Sequence, residues 1–176
     1  LSAVAFLLSL LVKPFTIFYA VPMIYLLINK YGVKPIFKNG QLLIKLLIYT
    51  NIILIPFLLW RYWLTLYPAG VPFYSWAFNG DHIRFRPAFW RWIFGDRLGR
   101  LILGFWGLIP FSLGVARLEK RNYFIQYFLL GIFLYVTVVA TANVRHDYYQ
   151  TLAIPAIALA LGVGANFLLT TKELSR

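Results

Sequence analysis

Residues 42–60 read LLIKLLIYTNIILIPFLLW, and this stretch decides the fold class. Its length matches the roughly 20 residues that an α-helix needs to cross the hydrocarbon of a bilayer. The only charged residue is Lys45, close enough to the start for its side chain to reach the headgroups. Pro56 predicts a kink. We therefore expect a transmembrane helix over residues 42–60.

Further apolar runs lie on both sides of this helix. Upstream, residues 2–12 and 14–28 are separated only by Lys13, and each is shorter than a bilayer is thick. They predict either a hairpin of two short helices that turns at Lys13, or one long helix kinked at Pro14 and Pro22. The hairpin is favoured because proline suits a first helical position. Downstream, the hydropathy predicts spans over residues 98–116, 123–142 and 150–170.

Together these runs predict an all-α fold: a polytopic transmembrane bundle of five to six segments, some short or kinked, in one domain over residues 1–176. The composition agrees, since 61% of the residues are hydrophobic and 12% are charged, about half the charged share of a soluble domain. The chain begins at Leu1 inside an apolar run, so we expect a fragment of a longer membrane protein. In the last span, Gly162 and Gly164 predict close helix packing.

Residues 61–97 interrupt the pattern of apolar runs. This segment is too long for a simple connector and too aromatic for a disordered linker. We expect a long extracytoplasmic loop on the membrane surface, with residues 87–98, PAFWRWIFGDRL, as an interfacial amphipathic helix that Asp96 and Arg97 end. The lysines other than Lys13 lie on the other side, which the positive-inside rule makes cytoplasmic.

The charge balance indicates lipid as a partner. Lys and Arg number 17 against 5 acidic residues, but these cations lie beside and between apolar runs. We therefore expect membrane lipids and no nucleic acid as partners. The sequence has no cysteine, which excludes disulfides and thiol nucleophiles. It shows no catalytic triad, paired-carboxylate motif or nucleotide fingerprint.

Three polar groups share the extracytoplasmic face in this topology, and ionisable groups at membrane depth are costly unless they are paired or line water. We expect them to meet in one cavity. The candidate substrate-binding residues are Lys13, Asp81, His82, Arg84, Arg145, His146, Asp147, Tyr148 and Tyr149. The alternatives are snorkelling for Lys13, solvated loop charge for residues 81–86 and an interfacial aromatic belt for residues 145–149. His146 beside Asp147 is too little to define a metal site.

Three stretches resemble the GT-C class of membrane glycosyltransferases, in particular the bacterial relatives of protein O-mannosyltransferases and of the aminoarabinose transferase that modifies lipid A. Residues 10–28, LLVKPFTIFYAVPMIYLLI, are similar to the family's element of two short helices around a lysine. Residues 55–63, IPFLLWRYW, resemble the span before its long outer loop. Residues 143–164, NVRHDYYQTLAIPAIALALGVG, are similar to its HDYY turn before a proline-containing helix.

The resemblance implies transfer of a sugar from a polyprenyl-phosphate donor to a glycan, lipid or protein acceptor on the outer face of the inner or plasma membrane. It implies that Lys13 contacts the carrier phosphate and that Arg145, His146, Tyr148 and Tyr149 line the cavity. The family's catalytic Asp has no match here, so we expect it upstream of Leu1 and the fragment alone to be inactive. No cofactor is firmly implied, although a divalent metal is compatible with the chemistry. The alternative is a transporter or lipid flippase subunit, which predicts internal repeats that we do not find.

Overall fold

The structure is a computed structural model that describes residues 1–67, 74–117 and 123–170. Within these ranges the chain is helical and contains no strand, so the all-α prediction is confirmed for them. Its internal contacts divide it into two compact units, Leu1–Phe73 and Tyr74–Arg176, where the sequence predicted a single domain. Each unit is stabilised by its own helix packing.

The first unit is built on two helices that pack against each other, α1 (Ser2–Val12) and α4 (Gly40–Leu66). Between them the chain forms a 3₁₀ helix (Pro14–Tyr19), α2 (Ala20–Tyr31) and α3 (Val33–Lys38). The contact between α1 and α4 buries a small apolar cluster made of Ala3, Leu10 and Ile53, with Phe6, Tyr49 and Phe57 at its edge. Burial of apolar side chains therefore fixes these two helices together.

α4 is, among the described residues, the one helix long and apolar enough to cross a membrane. It has 27 residues and a mean hydropathy of 2.3 in its most apolar window. Only 6% of that window is buried within the structure, whereas a core helix of a soluble protein is mostly buried. The Asn39 side chain accepts a hydrogen bond from the Leu42 amide and caps the helix start. α4 therefore contains the predicted span 42–60 and continues through Pro56 to Leu66.

The chain is not helical at Lys13. α1 ends at Val12, and Lys13 has extended dihedrals of φ −146° and ψ 103°. The Thr16 amide and hydroxyl both donate to the Lys13 carbonyl, at 3.0 and 2.9 Å, and the Ser9 and Thr16 hydroxyls lie 3.2 Å apart. These bonds turn the chain between two separate helical segments. The break agrees with two separate helical segments and not with one long helix kinked at Pro14 and Pro22.

The second unit contains shorter segments. In chain order they are the 3₁₀ helices Tyr74–Ala77 and Ile83–Phe85, α5 (Pro87–Trp90), a π-helical segment (Arg91–Ile102), α6 (Leu108–Ala116), α7 (Phe124–Val138), α8 (Ala140–Arg145), a 3₁₀ helix (Asp147–Leu152) and α9 (Ile154–Thr170). α6 and α9 pack closely along each other, and α7 also contacts α9. The predicted site residues of this unit, 81–84 and 145–149, lie before α5 and between α7 and α9.

The predicted span over residues 98–116 is corrected by the structure. The π-helical segment runs through Asp96 and Arg97, which were expected to end it, and stops only at Ile102. Gly104 and Phe105 then have positive φ values of 54° and 61°, a conformation that ends helices. α6 has nine residues, about 14 Å of helix against a hydrocarbon core of about 30 Å.

The two other downstream spans are also interrupted. Over residues 123–142 the helix breaks at Val139, which separates α7 from α8. Over residues 150–170 the first residues belong to a 3₁₀ helix, and α9 begins only at Ile154. In the described part of the chain the structure therefore shows one helix of membrane-crossing length and several shorter apolar helices.

Glycines determine how closely α6 and α9 approach. A Cβ atom added at Gly164 would overlap the Pro110 carbonyl oxygen, and one added at Gly114 would overlap the Ala160 carbonyl. Only glycine allows these backbones to touch. At Gly162 an added Cβ atom meets nothing within 4 Å. The predicted close packing is thus confirmed for Gly164 and wrong for Gly162.

Candidate functional site

The centre of the candidate site is the Asp81 carboxylate, which lies in the turn before Ile83. The Thr141 hydroxyl donates to its Oδ1 at 2.6 Å, and Arg145 Nη2 lies 3.3 Å from its Oδ2. Thr141 and Arg145 are four residues apart on α8, so they lie on one face of that helix. We call Asp81, Thr141 and Arg145 the Asp81 cluster. The structure thus brings together Asp81 and Arg145, which the sequence singled out, and adds Thr141, which it did not.

The Asp81 cluster holds its carboxyl group in the charged form. The pKa of Asp81 lies below its usual value, chiefly because the Thr141 hydroxyl donates to the carboxylate, with partial desolvation opposing and Arg145 assisting. Side-chain exposure is 34% for Asp81 and 59% for Arg145, so the ion pair is accessible from outside the unit. The site therefore offers a fixed carboxylate beside an exposed guanidinium.

Arg84 ties the Asp81 loop to α7. Its backbone amide donates to Asn79 Oδ1 at 3.1 Å, and its Nη1 donates to the Thr137 carbonyl at 3.2 Å. Its Nε is buried and has no hydrogen-bond partner within the described residues. The guanidinium carbon lies 5.4 Å from the Phe85 ring centroid, a cation–π distance. Arg84 therefore positions the loop that carries Asp81.

Aromatic rings flank the Asp81 cluster and form what we call the aromatic wall: Trp76, His146, Tyr148 and Tyr149. The Trp76 and His146 rings meet edge to face with their centroids 5.6 Å apart, and the two tyrosine rings are 4.7 Å apart. Tyr149 is buried, whereas Tyr148 is exposed. Sequence reasoning found the histidine and both tyrosines but missed Trp76, whose signal was the aromatic stretch FYSWAF at residues 73–78.

The turn at residues 145–149 is fixed by buried hydrogen bonds. Tyr135 on α7 donates its hydroxyl to the Tyr149 carbonyl at 3.0 Å, and Gln150 Nε2 donates to the Asn143 carbonyl at 3.0 Å. Arg97 Nη2, from the π-helical segment, donates to the Val144 carbonyl at 2.7 Å. Buried polar groups that are satisfied in this way stabilise one backbone conformation. The backbone that carries the His146 and Tyr149 rings is therefore held in one conformation by these hydrogen bonds.

Three predicted site residues lie outside these contacts. His82 is exposed in a left-handed conformation with φ 55°, and its ring faces that of Phe85. Asp147 is exposed at the start of its 3₁₀ helix, and its carboxylate forms no ion pair within residues 1–67, 74–117 and 123–170. Lys13 is half-buried at the helix break of the first unit. A cavity shared by Lys13 and the Asp81 cluster stays a prediction.

The described residues contain no group of three or more His, Asp or Glu side chains placed to hold a metal ion. Comparison of the chain with family models, with curated protein sequences and with solved structures finds no match. The resemblance to GT-C glycosyltransferases therefore rests on the three sequence stretches that carry it.

Proposed function

We propose that this chain is part of an integral membrane glycosyltransferase that moves a sugar from a polyprenyl-phosphate carrier to an acceptor on the extracytoplasmic side of the cell membrane. The observation that carries the proposal is the Asp81 cluster beside the aromatic wall. It combines a fixed carboxylate, an exposed guanidinium and a group of aromatic rings in contact with one another. A glycosyl phosphate needs these groups: acceptors for sugar hydroxyls, a cation for phosphate and flat surfaces for the sugar ring.

The proposed multi-pass placement is supported by the apolar character of the helices. α4 has membrane-crossing length, and α1, α7 and α9 are shorter apolar helices. Exposed large side chains are common on them, for example Leu8 at 56%, Leu47 at 62% and Leu169 at 83%. Contiguous apolar surface of this kind is rare on soluble monomers. Breaks such as Lys13 and Val139 are compatible with membrane depth where they line a cavity.

The proposed reaction is a direct displacement. The acceptor's hydroxyl or amine forms a bond to the anomeric carbon while the bond from that carbon to the phosphate oxygen breaks. The lipid phosphate leaves with the electron pair, and the acceptor's proton passes to the acidic residue that the family resemblance implies. Arg145 offsets charge on the departing phosphate, and Asp81 holds Arg145 in place. The family resemblance implies that Lys13 contacts the carrier phosphate. His146 and Tyr148 orient the sugar, and the buried Tyr149 ring packs against both of them.

The test uses the product of the complete gene in liposomes with a radiolabelled polyprenyl-phosphate sugar and extracted envelope acceptors. We expect Lys13→Ala, Arg145→Ala and His146→Ala each to lower transfer, by about 100-fold for a lost charge-stabilising group. Arg86→Ala is the matched control, because Arg86 is an exposed cation on the same loop outside the Asp81 cluster.

Two results would overturn the proposal. Transfer that survives all three substitutions would show that these residues are not the site. Absence of transfer with every donor, together with movement of lipid or solute across the membrane, would favour the transporter instead.

A further inference from the structure

A pocket with charged lining residues lies on the π-helical segment, and its lining does not include the Asp81 cluster. It has a volume of about 450 Å³ and is lined by Arg91, Trp92, Gly95, Asp96, Arg100 and Phe105. We call it the guanidinium pocket. We propose that it binds the phosphate of an anionic membrane lipid headgroup. This inference rests on the proposed membrane placement and not on sugar transfer.

The π-helical winding is what assembles the guanidinium pocket. Arg91 and Arg100 are nine residues apart, and in an α-helix, with 3.6 residues per turn, they lie two and a half turns apart on opposite faces. A π-helix closes its turns by i→i+5 hydrogen bonds, at about 4.4 residues per turn, so nine residues make close to two full turns. The wider turn therefore places both guanidinium groups on one face, with Gly95 and Asp96 between them.

The pocket carries a surplus of positive charge. Asp96 Oδ1 accepts a hydrogen bond from Arg100 Nε at 2.7 Å, and its Oδ2 lies 3.5 Å from Arg97 Nη1. One carboxylate thus faces two guanidinium groups, and Arg91 is a third, exposed and with no ion-pair partner in the described part of the chain. Arg100 keeps its Nη donors because only Nε contacts Asp96. Two guanidinium groups on one face suit a phosphate group.

The surroundings of the pocket favour a lipid over a free anion. Its two aromatic lining residues, Trp92 and Phe105, are 46% and 56% exposed. Phe94 and Trp106, close to them in the chain, are 49% and 85% exposed. Rings of this kind beside arginines are typical of a segment at the membrane interface. Phe105 also has a positive φ of 61°, a strained conformation for a non-glycine residue, and its ring lines the pocket. The rings therefore place the guanidinium groups at headgroup depth.

Lipid binding by the detergent-solubilised protein, counted by native mass spectrometry, tests the proposal. Phosphatidylglycerol is compared with phosphatidylcholine, and inorganic phosphate is added as a competitor in a separate arm. We expect a preference for phosphatidylglycerol that Arg91→Gln and Arg100→Gln each weaken by about tenfold, as for a lost charge-assisted hydrogen bond. Arg86→Gln, an exposed cation away from the pocket, controls for general loss of charge.

Asp96→Asn is the most informative variant, because it is expected to increase lipid binding. It removes the one carboxylate and frees Arg100, so we expect phosphatidylglycerol to bind several-fold more tightly, a gain that misfolding cannot produce. The proposal is overturned if all variants bind alike, if Arg86→Gln weakens binding as much as Arg91→Gln, or if Asp96→Asn weakens it. Complete competition by millimolar inorganic phosphate would instead assign the pocket to a free anion. None of these arms contains a sugar donor, so their failure leaves the glycosyltransferase proposal standing.

Discussion

At the scale of single residues, Asp81 links two parts of the second unit that are far apart in sequence. Its carboxylate contacts Thr141 and Arg145, at sequence separations of 60 and 64 residues. Thr141 is buried, whereas Arg145 is exposed. The carboxylate is therefore anchored on its inner side and accessible on its outer side. Changes at the two partners should consequently have different effects, one on stability and one on binding.

Removal of the inner anchor should destabilise the second unit. Thr141→Val keeps the shape of the side chain but takes away the hydrogen bond to Asp81, and we expect a loss of about 1–2 kcal/mol in the free energy of unfolding, since the acceptor is charged. Thr137→Val is the matched control, because the Thr137 hydroxyl only donates to the Phe133 carbonyl of its own helix. Thermal unfolding in detergent measures both variants. Equal losses in the two would contradict the assigned role of Thr141.

The stability conferred by Asp81 should depend on pH in a defined direction. In the folded protein its pKa is lowered below the ordinary 3.8, chiefly by the Thr141 hydroxyl. Such a group stabilises the fold above its unfolded pKa, and the contribution is lost as the pH falls through the folded pKa. We expect the Tm difference between the native protein and Asp81→Asn to be constant near neutral pH and to shrink below about pH 4. A difference that persists undiminished to pH 3 would refute this.

The sequence could identify Asp81 and Arg145 because charges near apolar segments are conspicuous. It could not identify Thr141, which sits in the apolar run before Arg145 and resembles any small helical residue. It could not identify Trp76 either, because residues 73–78 contain several aromatic rings and the sequence does not indicate which of them contacts His146. A partner 60 residues away in the chain is decided by tertiary packing, which a local pattern does not contain.

At the scale of elements, the π-helical segment and the turn that follows it have features that the hydrophobic pattern did not predict. An amphipathic helix was predicted over residues 87–98, and helical structure is present there. The π-helical winding over Arg91–Ile102 was not predicted, and a π-helix places residues on different faces from an α-helix. The turn at Gly104 and Phe105 was also missed, because an isolated glycine within an apolar run reads as a tolerated helix residue.

The close approach of α6 and α9 gives a matched pair of substitutions. Gly164→Ala places a methyl group against the Pro110 carbonyl, a backbone atom that cannot rotate away, and we expect a loss of about 1–3 kcal/mol from forced separation of the helices. Gly162→Ala meets open space on the same helix, so it should be neutral or stabilise by up to about 1 kcal/mol through helix propensity. Thermal unfolding in detergent compares the two. If Gly162→Ala destabilised the protein more than Gly164→Ala, α6 and α9 would not touch at Gly164.

At the scale of the whole molecule, hydropathy could predict the all-helical class and the long helix α4 but not the number of spans. A hydropathy profile reports where the chain is apolar, and it carries no information on where a helix is interrupted. The breaks at Lys13, Gly104 and Val139 divide apolar runs into segments shorter than a bilayer. Two short segments can cross a membrane together only if they pack against each other. The topology proposed for this chain therefore depends on tertiary packing, which hydropathy does not report.

We propose that the Asp81 cluster and the aromatic wall form a donor site on the extracytoplasmic face. Because the chain has no cysteine, Ser75→Cys introduces one label site beside Trp76; any cysteine elsewhere in the gene product is replaced by serine. A membrane-impermeant maleimide is applied to intact cells and then, with and without polyprenyl-phosphate sugar, to outward-facing proteoliposomes. We expect labelling from outside that the donor slows several-fold. Labelling only after the cells are opened, or labelling that the donor does not change, would contradict it.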